Sequence, residues 1–356
     1  MKIPGVTTLM VTVQCLEVGL NTLIKEATAK GMSDFVFVVY SNAMALCFLL
    51  PSAFIYYRKR GFLPITRAVV SRIFLLSMVS CCEQTLMYTG IGYSSPTLAS
   101  AMVDLTPAFT YIVALISRLE KLNMKLRSGK AKSIGTVVSI VGALVVTLHE
   151  GFPLTSHRGP THNIVVSGEN LIPEPSDWVL GGFLLSAGSF CLSLVFIVKT
   201  WIIKDYPEEL MVATISCSFV IILSSIVALI VDSSAQAWLL KPDTELIAIV
   251  YSGTFVVSLR SIVHIWACRK RGPVYVAMFN PLGMVISLAM GVTFLKDTLY
   301  LGSIIGAGVI ALGFYGVIWG QDQEEKMVDE KNNGRCDSVS SSSSTAPLLQ
   351  NKSIHV

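Results

Sequence analysis

From Val212 to Val231, and again from Ser303 to Trp319, the chain runs without one charged residue. A bilayer core about 30 Å thick asks roughly twenty such residues of a helix rising 1.5 Å each. Lipid offers no water to unpaired backbone groups, so a chain crosses it as helices or as a closed barrel. Barrel strands alternate with a period of two, and these runs do not. The sequence therefore predicts an all-α polytopic membrane protein. Composition agrees: 53% of residues are hydrophobic and 14% charged, against roughly 25% charged in a soluble domain, and mean hydropathy is +0.65.

Ten transmembrane helices are expected, at 6–27, 35–56, 71–92, 97–117, 134–149, 178–199, 209–231, 247–268, 274–295 and 300–319. The basic residues orient them. One set of alternate loops holds Arg58, Lys59, Arg60, Arg67 and Arg72, then Arg118, Lys121, Lys125, Arg127, Lys130 and Lys132, then Lys199 and Lys204, then Arg269, Lys270 and Arg271. The other set holds Lys30, Arg158, Lys241 and Lys296. The positive-inside rule makes the first set cytoplasmic, with both termini in the cytosol. Net charge is only +4 and its basic residues sit in short clusters between apolar runs. They speak for membrane orientation and not for nucleic acid.

The second half reads as a faint copy of the first. Tyr93-Ser-Ser-Pro96 followed by Ala101-Met-Val-Asp104 stands against Gly272-Pro273 followed by Ala277-Met-Phe-Asn280. The same distance back from Pro96 and Pro273 lie Glu83 and Arg260, each a charge in an apolar segment. Ile134-Gly135, Val138 and Gly142 match Ile305-Gly306, Val309 and Gly313 in spacing. Internal duplication decides the fold before any other reading. Five helices per copy is an odd number, so the second copy enters the membrane inverted. The uncharged Tyr93-Ser-Ser-Pro loop and its basic counterpart Arg269-Lys-Arg-Gly-Pro then face opposite sides. The expected division is 1–149 as the first five-helix repeat, 150–177 as an extracytoplasmic polar loop, 178–320 as the second, inverted repeat, and 321–356 as a disordered cytosolic tail. That tail carries the Ser338–Ser344 tract, too polar to bury a core.

The eight cysteines fall almost wholly in apolar runs or the tail, with no metal spacing. His157 and His162 in the polar loop form a pair better read as solvated than as metal ligands. Gly135, Gly142, Gly302, Gly306, Gly308 and Gly313 give the fifth and tenth helices faces for close backbone approach. Those faces suit either a homodimer interface or packing within one chain.

Charges near a bilayer centre cost roughly 2.5–3.5 kcal/mol each on insertion scales, so they point to a partner, a wet cavity or a function. Glu83 and Arg260 both fall near the midplane. Facing one cavity, the acid accepts a proton or an ammonium, and the guanidinium holds a carboxylate with two hydrogen bonds. The alternative is that the two simply pair with each other. Gln14, Glu17 and Asn21 share one face of the first helix. Asp104 and Asn280 each stand shortly before a proline, Pro107 and Pro281, that frees helical carbonyls. Gln84 and His264 complete the expected substrate-binding set.

Five-helix copies with Arg118-Leu-Glu120-Lys closing the fourth helix and Phe279-Asn-Pro-Leu opening the ninth resemble the EamA-type drug/metabolite transporter superfamily. Lys30-Gly-Met with Val39-Tyr40, Glu83-Gln84 before Tyr88, Gly272-Pro273-Val-Tyr-Val and Leu301-Gly302-Ser-Ile-Ile-Gly306 look like its plant nodulin-like, walls-are-thin-related branch. The likeness spans residues 5–320. It implies facilitated or proton-linked movement of amino acids, auxin-related compounds or similar small acids by alternating access. The implied setting is the plasma membrane, with the vacuolar membrane as the alternative. Lys296-Asp297 departs from the family's usual Gly-Glu, Asp104 stands where Asn is commoner, and Arg260 and His264 charge a helix that is often neutral. The implied partners are a small-molecule substrate, the lipid bilayer and, in a coupled mode, protons; no cofactor is implied.

Two rival classes follow from the same residues. A structural or receptor-like membrane protein predicts no flux, and the intramembrane charges argue against it. A nucleotide-sugar carrier needs more fixed positive charge than Arg260 alone supplies. Enzyme chemistry has no support in nucleophile, base or metal-ligand spacing.

Overall fold

The computed structural model describes residues 3–29, 32–60, 64–93, 96–119, 127–148, 175–231, 238–239, 244–290, 293 and 301–343. Lys30, His157, His162, most of the 150–177 loop, Lys241, Lys296-Asp297 and residues 344–356 lie outside them. The described chain is helical: α1 (Ile3–Ala29), α2 (Asp34–Arg60), α3 (Arg67–Tyr93), α4 (Pro96–Val103), α5 (Thr106–Ile116), α6 (Arg127–Leu148), α7 (Pro175–Asp205), α8 (Glu209–Val231) and α9 (Thr244–Tyr251). A π-helical turn, Ser252–Val257, then leads into α10 (Ser258–Arg271), followed by α11 (Pro273–Ala277), α12 (Phe279–Met290) and α13 (Leu301–Ser343). Seven helices among the described residues are long and apolar enough to cross a membrane: Asp34–Arg58, Arg67–Ile91, Val179–Asp205, Glu209–Val231, Glu245–Arg271, Pro273–Met290 and Ile304–Glu324. The expected spans at 6–27, 97–117 and 134–149 fall on α1, on α4 with α5, and on α6.

Three boundaries differ from expectation, each for a physical reason. The span expected at 97–117 is broken at Asp104-Leu105, because Pro107 has no N–H for the carbonyl four residues earlier. Leu105 N–H instead bonds the Met102 carbonyl at 3.1 Å, and α5 starts afresh with Pro107 in its first turn. The helix expected to end at Lys199 continues to Asp205, so Lys199 belongs to a membrane helix and not to a cytoplasmic loop. The tail, expected to be disordered from 321, is helical to Ser343. Its Gln, Glu, Lys and Met residues are good helix formers, and Asp322 pairs with Lys326 one turn on at 2.7 Å.

Helices from the two halves pack against one another in matched combinations. α2 lies along α8, α6 along α13, and α3 along both α7 and α8, while α1 contacts α9, α10 and α12 and α7 contacts α4 and α5. The α6–α13 contact is a close backbone approach. A Cβ on Gly313 would stand 2.5 Å from Ser139 N and 2.6 Å from the Gly135 carbonyl; one on Gly142 would stand 2.7 Å from Ile310 N. The glycine faces are thus spent against each other within one chain. Backbone cannot retreat as a side-chain tip can, so overpacking here costs at least the usual 1–3 kcal/mol. Gly313→Ala is therefore expected to lower the melting temperature of the purified protein in detergent by several degrees. Gly308→Ala, whose Cβ would meet nothing within 4 Å, should leave it unchanged. Equal melting temperatures for the two variants would refute the backbone contact.

At the end of the bundle where basic residues gather, the short α7–α8 connection is gripped from three helices. Arg72 of α3 pairs with Asp205. Tyr57 of α2 donates to Glu208 Oε2 at 2.8 Å. Arg269 of α10 donates to Glu209 Oε1 at 2.7 Å and to the Pro207 carbonyl at 3.1 Å.

Candidate functional site

A cavity of about 580 Å³ lies among α1, α2, α3, α4, α7, α8, α10 and α12. All nine residues singled out in the sequence line it. Gln14, Glu17 and Asn21 come from α1, Glu83 and Gln84 from α3, Asp104 from the α4–α5 break, Arg260 and His264 from α10, and Asn280 from α12. The three α1 residues recur at three- and four-residue spacing, which turns one face of that helix inward. The π-helical turn before α10 approaches α2 closely at Gly253, where a Cβ would stand only 2.5 Å from Met44 Cβ. Such turns inside helices are frequent at functional sites.

The charges are arranged differently from the two alternatives posed above. Arg260 pairs with Glu17, its Nη1 donating to Oε1 at 2.6 Å. Glu83 has no ion-pair or hydrogen-bond partner among the described residues, although Arg260, Lys199 and Glu17 are its charged neighbours. Glu83 and Arg260 thus share the cavity without pairing.

Lys199, absent from the sequence-based set, stands on the same wall. Its ammonium lies 5.9 Å from the centroid of the Phe196 ring, whose edge in turn meets His264 at 5.8 Å. Asn42 is the other notable addition. Its amide donates to the Val38 carbonyl at 2.8 Å, and its own carbonyl faces the Cys217 thiol at 3.3 Å. A signal for Lys199 existed: a lysine inside an apolar stretch with no carboxylate four residues away.

Unspent hydrogen-bonding capacity collects on this wall. Among the described residues, Gln84 Oε1, Asp104 Oδ2, His264 Nε2, Asn280 Nδ2 and Ser41 Oγ are buried without a partner. Asp104 is only 2% exposed. Each such atom costs about 1–3 kcal/mol if left unsatisfied, so the wall is built to be completed by a polar guest or by water. Asp104 and Asn280 make the point twice, since both sit at helix breaks and both face the cavity with an unspent polar atom.

On α1, α10 and α11 an apolar cluster including Met10, Val13, Val263, Ala267, Cys268 and Tyr275 stands between the cavity-lining residues and the basic end. Thr7 and Tyr275 join across it by a 2.8 Å hydrogen bond. Toward the other end the cavity reaches Asn21, Phe37, Ile91 and Ala99. There, among the described residues, one apolar cluster forms around Leu20, Phe37 and Ile249 and another around Met87, Ala99 and Leu185.

A WAT1-related protein of Arabidopsis thaliana is 42% identical over 354 residues, covering 96% of this chain and 94% of its own length. A second from the same plant is 41% identical over 89% of this chain and 86% of its own. The chain belongs to this WAT1-related branch of the plant EamA-type drug/metabolite transporters. A third WAT1-related protein is 39% identical over 89% of the chain and 88% of its own length. No protein-family model matches the chain. One chain of known crystal structure shares the fold, with a TM-score of 0.66 over 88% of this chain and 98% of its own at 12% identity. Membership of the WAT1-related branch makes the protein a membrane transporter, and the cavity is the place within it where mixed charge and unsatisfied polar atoms meet.

Proposed function

We propose that the protein carries amino acids or related small organic acids, auxin-related compounds among them, through this cavity by alternating access, in a facilitated or proton-linked mode. The observation that carries the reading is the cavity's charge: Glu83 and Lys199 line it with no ion-pair partner among the described residues, beside a neutralised Arg260–Glu17 pair. A zwitterion or a small acid with a hydrogen-bonding body complements that wall; an apolar guest does not. Glu83 takes the ammonium of a substrate or a proton. Gln14, Asn21, Gln84, Asp104, His264 and Asn280 supply the remaining polar contacts.

The proposed frame is two inverted five-helix repeats, 1–149 and 178–320, separated by an extracytoplasmic loop at 150–177, with both termini in the cytosol of a plasma-membrane protein. The packing supports it, because exchanging the halves carries the helix pairs into one another. α2–α8 and α6–α13 exchange with themselves, α3–α7 with α10–α1, and α5–α7 with α12–α1. In such designs the substrate sits near the midplane at the repeat interface. The apolar cluster and the gripped α7–α8 connection close the basic end.

A nucleotide-sugar carrier fits less well. The cavity holds two basic groups, Lys199 and Arg260, and not one, yet Glu17, Glu83 and Asp104 outnumber them and would repel a pyrophosphate. Uptake into vesicles of a mixed radiolabelled panel of amino acids, indole acids and nucleotide sugars, with and without a pH gradient, tests the proposal. Saturable accumulation of at least one acid is expected, at well above the rate of empty vesicles. Flux confined to nucleotide sugars, or no flux at all, would overturn it.

A further inference from the structure

We propose that Lys199, and not Arg260, takes the carboxylate of the transported acid. The assignment rests on the acid-carrying function above and adds the residue that selects for the acid. Arg260 lies in the same cavity but is already engaged, its Nη1 donating to Glu17 at 2.6 Å. A carboxylate approaching that pair must compete with one held in place by the fold. Lys199 has no carboxylate within ion-pair distance among the described residues. Its described contact is the Phe196 ring at 5.9 Å, which leaves its N–H donors free for an anion.

Position supports the assignment. Lys199 is six residues before the end of α7 at Asp205, so about 9 Å of helix separates it from that end. A lysine at that depth can snorkel toward the interface. Here it lines the cavity. Arg260 is an electrostatic neighbour that reinforces the pull on an anion, and Glu83 is an electrostatic neighbour of opposite sign. One α-amino acid thus finds a donor for its carboxylate and an acceptor for its ammonium among neighbouring side chains. A compact ammonium binds a carboxylate as a point charge and suits acids of varied shape, whereas a guanidinium fork imposes a planar approach.

The test compares each acid with its own carboxamide, which keeps size and shape and removes the negative charge. Two pairs serve as probes in reconstituted vesicles: L-phenylalanine with L-phenylalaninamide, and indole-3-acetate with indole-3-acetamide. For whichever acid the wild type carries, the ratio of kcat/KM for acid over amide should favour the acid. Lys199→Gln is expected to lower that ratio about ten- to hundredfold, the value of a charge-assisted hydrogen bond. Lys199→Arg should restore most of it, which also shows that the site still folds. The paired Glu17→Gln, Arg260→Gln variant should slow both members of a pair and keep their ratio. A ratio untouched in Lys199→Gln, or lost in the Glu17/Arg260 variant and kept in Lys199→Gln, overturns the assignment while leaving acid transport standing. Wild-type vesicles that carry no acid of the mixed panel remove the acid-carrying function and this assignment together.

Discussion

Glu83→Gln will reduce acid uptake by more than tenfold and flatten what pH dependence the wild type shows. Glutamine keeps the shape of the side chain and its hydrogen-bonding capacity, so what is lost is charge. Glu83 lies within α3 and lines the cavity, and no described group pairs with it or bonds to it. Burying an unpaired charge in lipid costs roughly 2.5–3.5 kcal/mol, a cost that persists only where water, a ligand or a proton relieves it. Losing an interaction of that size with a substrate ammonium or with a coupling proton corresponds to about a hundredfold in rate or affinity. Transport is measured in vesicles across pH 5.5 to 8 with surface or reconstituted protein matched to wild type. Wild-type rates and an unchanged pH profile would take Glu83 out of the mechanism. Asp104→Asn provides the contrast. Asn is what the matching position Asn280 carries, so the amide suits a helix break of this kind. If Asp104→Asn flattens the profile and Glu83→Gln does not, the proton is carried at the break between α4 and α5.

Much of this was legible in the residues because the bilayer leaves few choices. The apolar runs located the helices now seen from α2 to α13, and spacing alone turned Gln14, Glu17 and Asn21 to one side of α1. The intramembrane charges marked the cavity for the same reason, since lipid tolerates them nowhere else. What escaped notice depended on distance in space and not on pattern. Arg260 meets Glu17, 243 residues away in the chain. The match between halves pointed instead to Glu83, because equivalent positions both reach the centre; α1, however, packs beside α10 and offers the nearer carboxylate. Lys199 was hidden by its own charge: in an apolar run followed by Lys204 it reads as the start of a basic loop. The π-helical turn at Ser252–Val257 left no trace beyond Gly253, whose need for a small side chain shows only once α2 is alongside.

Releasing the α7–α8 connection will expose the closed end. Asp205, Glu208 and Glu209 surround Tyr206-Pro207, and each is held by a different helix, through Arg72, Tyr57 and Arg269. The two ion pairs are weak ties. Arg72 and Asp205 are about half exposed, at 47% and 56%, and the Arg269 side chain is 43% exposed. Exposed ion pairs contribute about 0.2–1 kcal/mol each. The buried Tyr57 hydroxyl adds a bond to a carboxylate worth about 1.5–3 kcal/mol, so together the ties bias the equilibrium by about 2–5 kcal/mol, which suits a closure that must reopen in every transport cycle. Cys268 reports on the change. It is 2% exposed, within the apolar cluster that separates the cavity from the basic end. A combined Tyr57→Phe, Arg72→Gln, Glu209→Gln variant should therefore raise labelling of Cys268 by more than tenfold. The reagent is a membrane-impermeant maleimide applied from the side of the basic loops, with mass spectrometry locating the adduct and Cys268→Ala as its control. The same variant should accumulate less acid, because a transporter resting open to the basic side presents its cavity less often to the other. Unchanged Cys268 labelling in a variant that melts at the wild-type temperature would mean that the apolar cluster alone holds this end shut, and that the ties to Asp205, Glu208 and Glu209 only dress its surface.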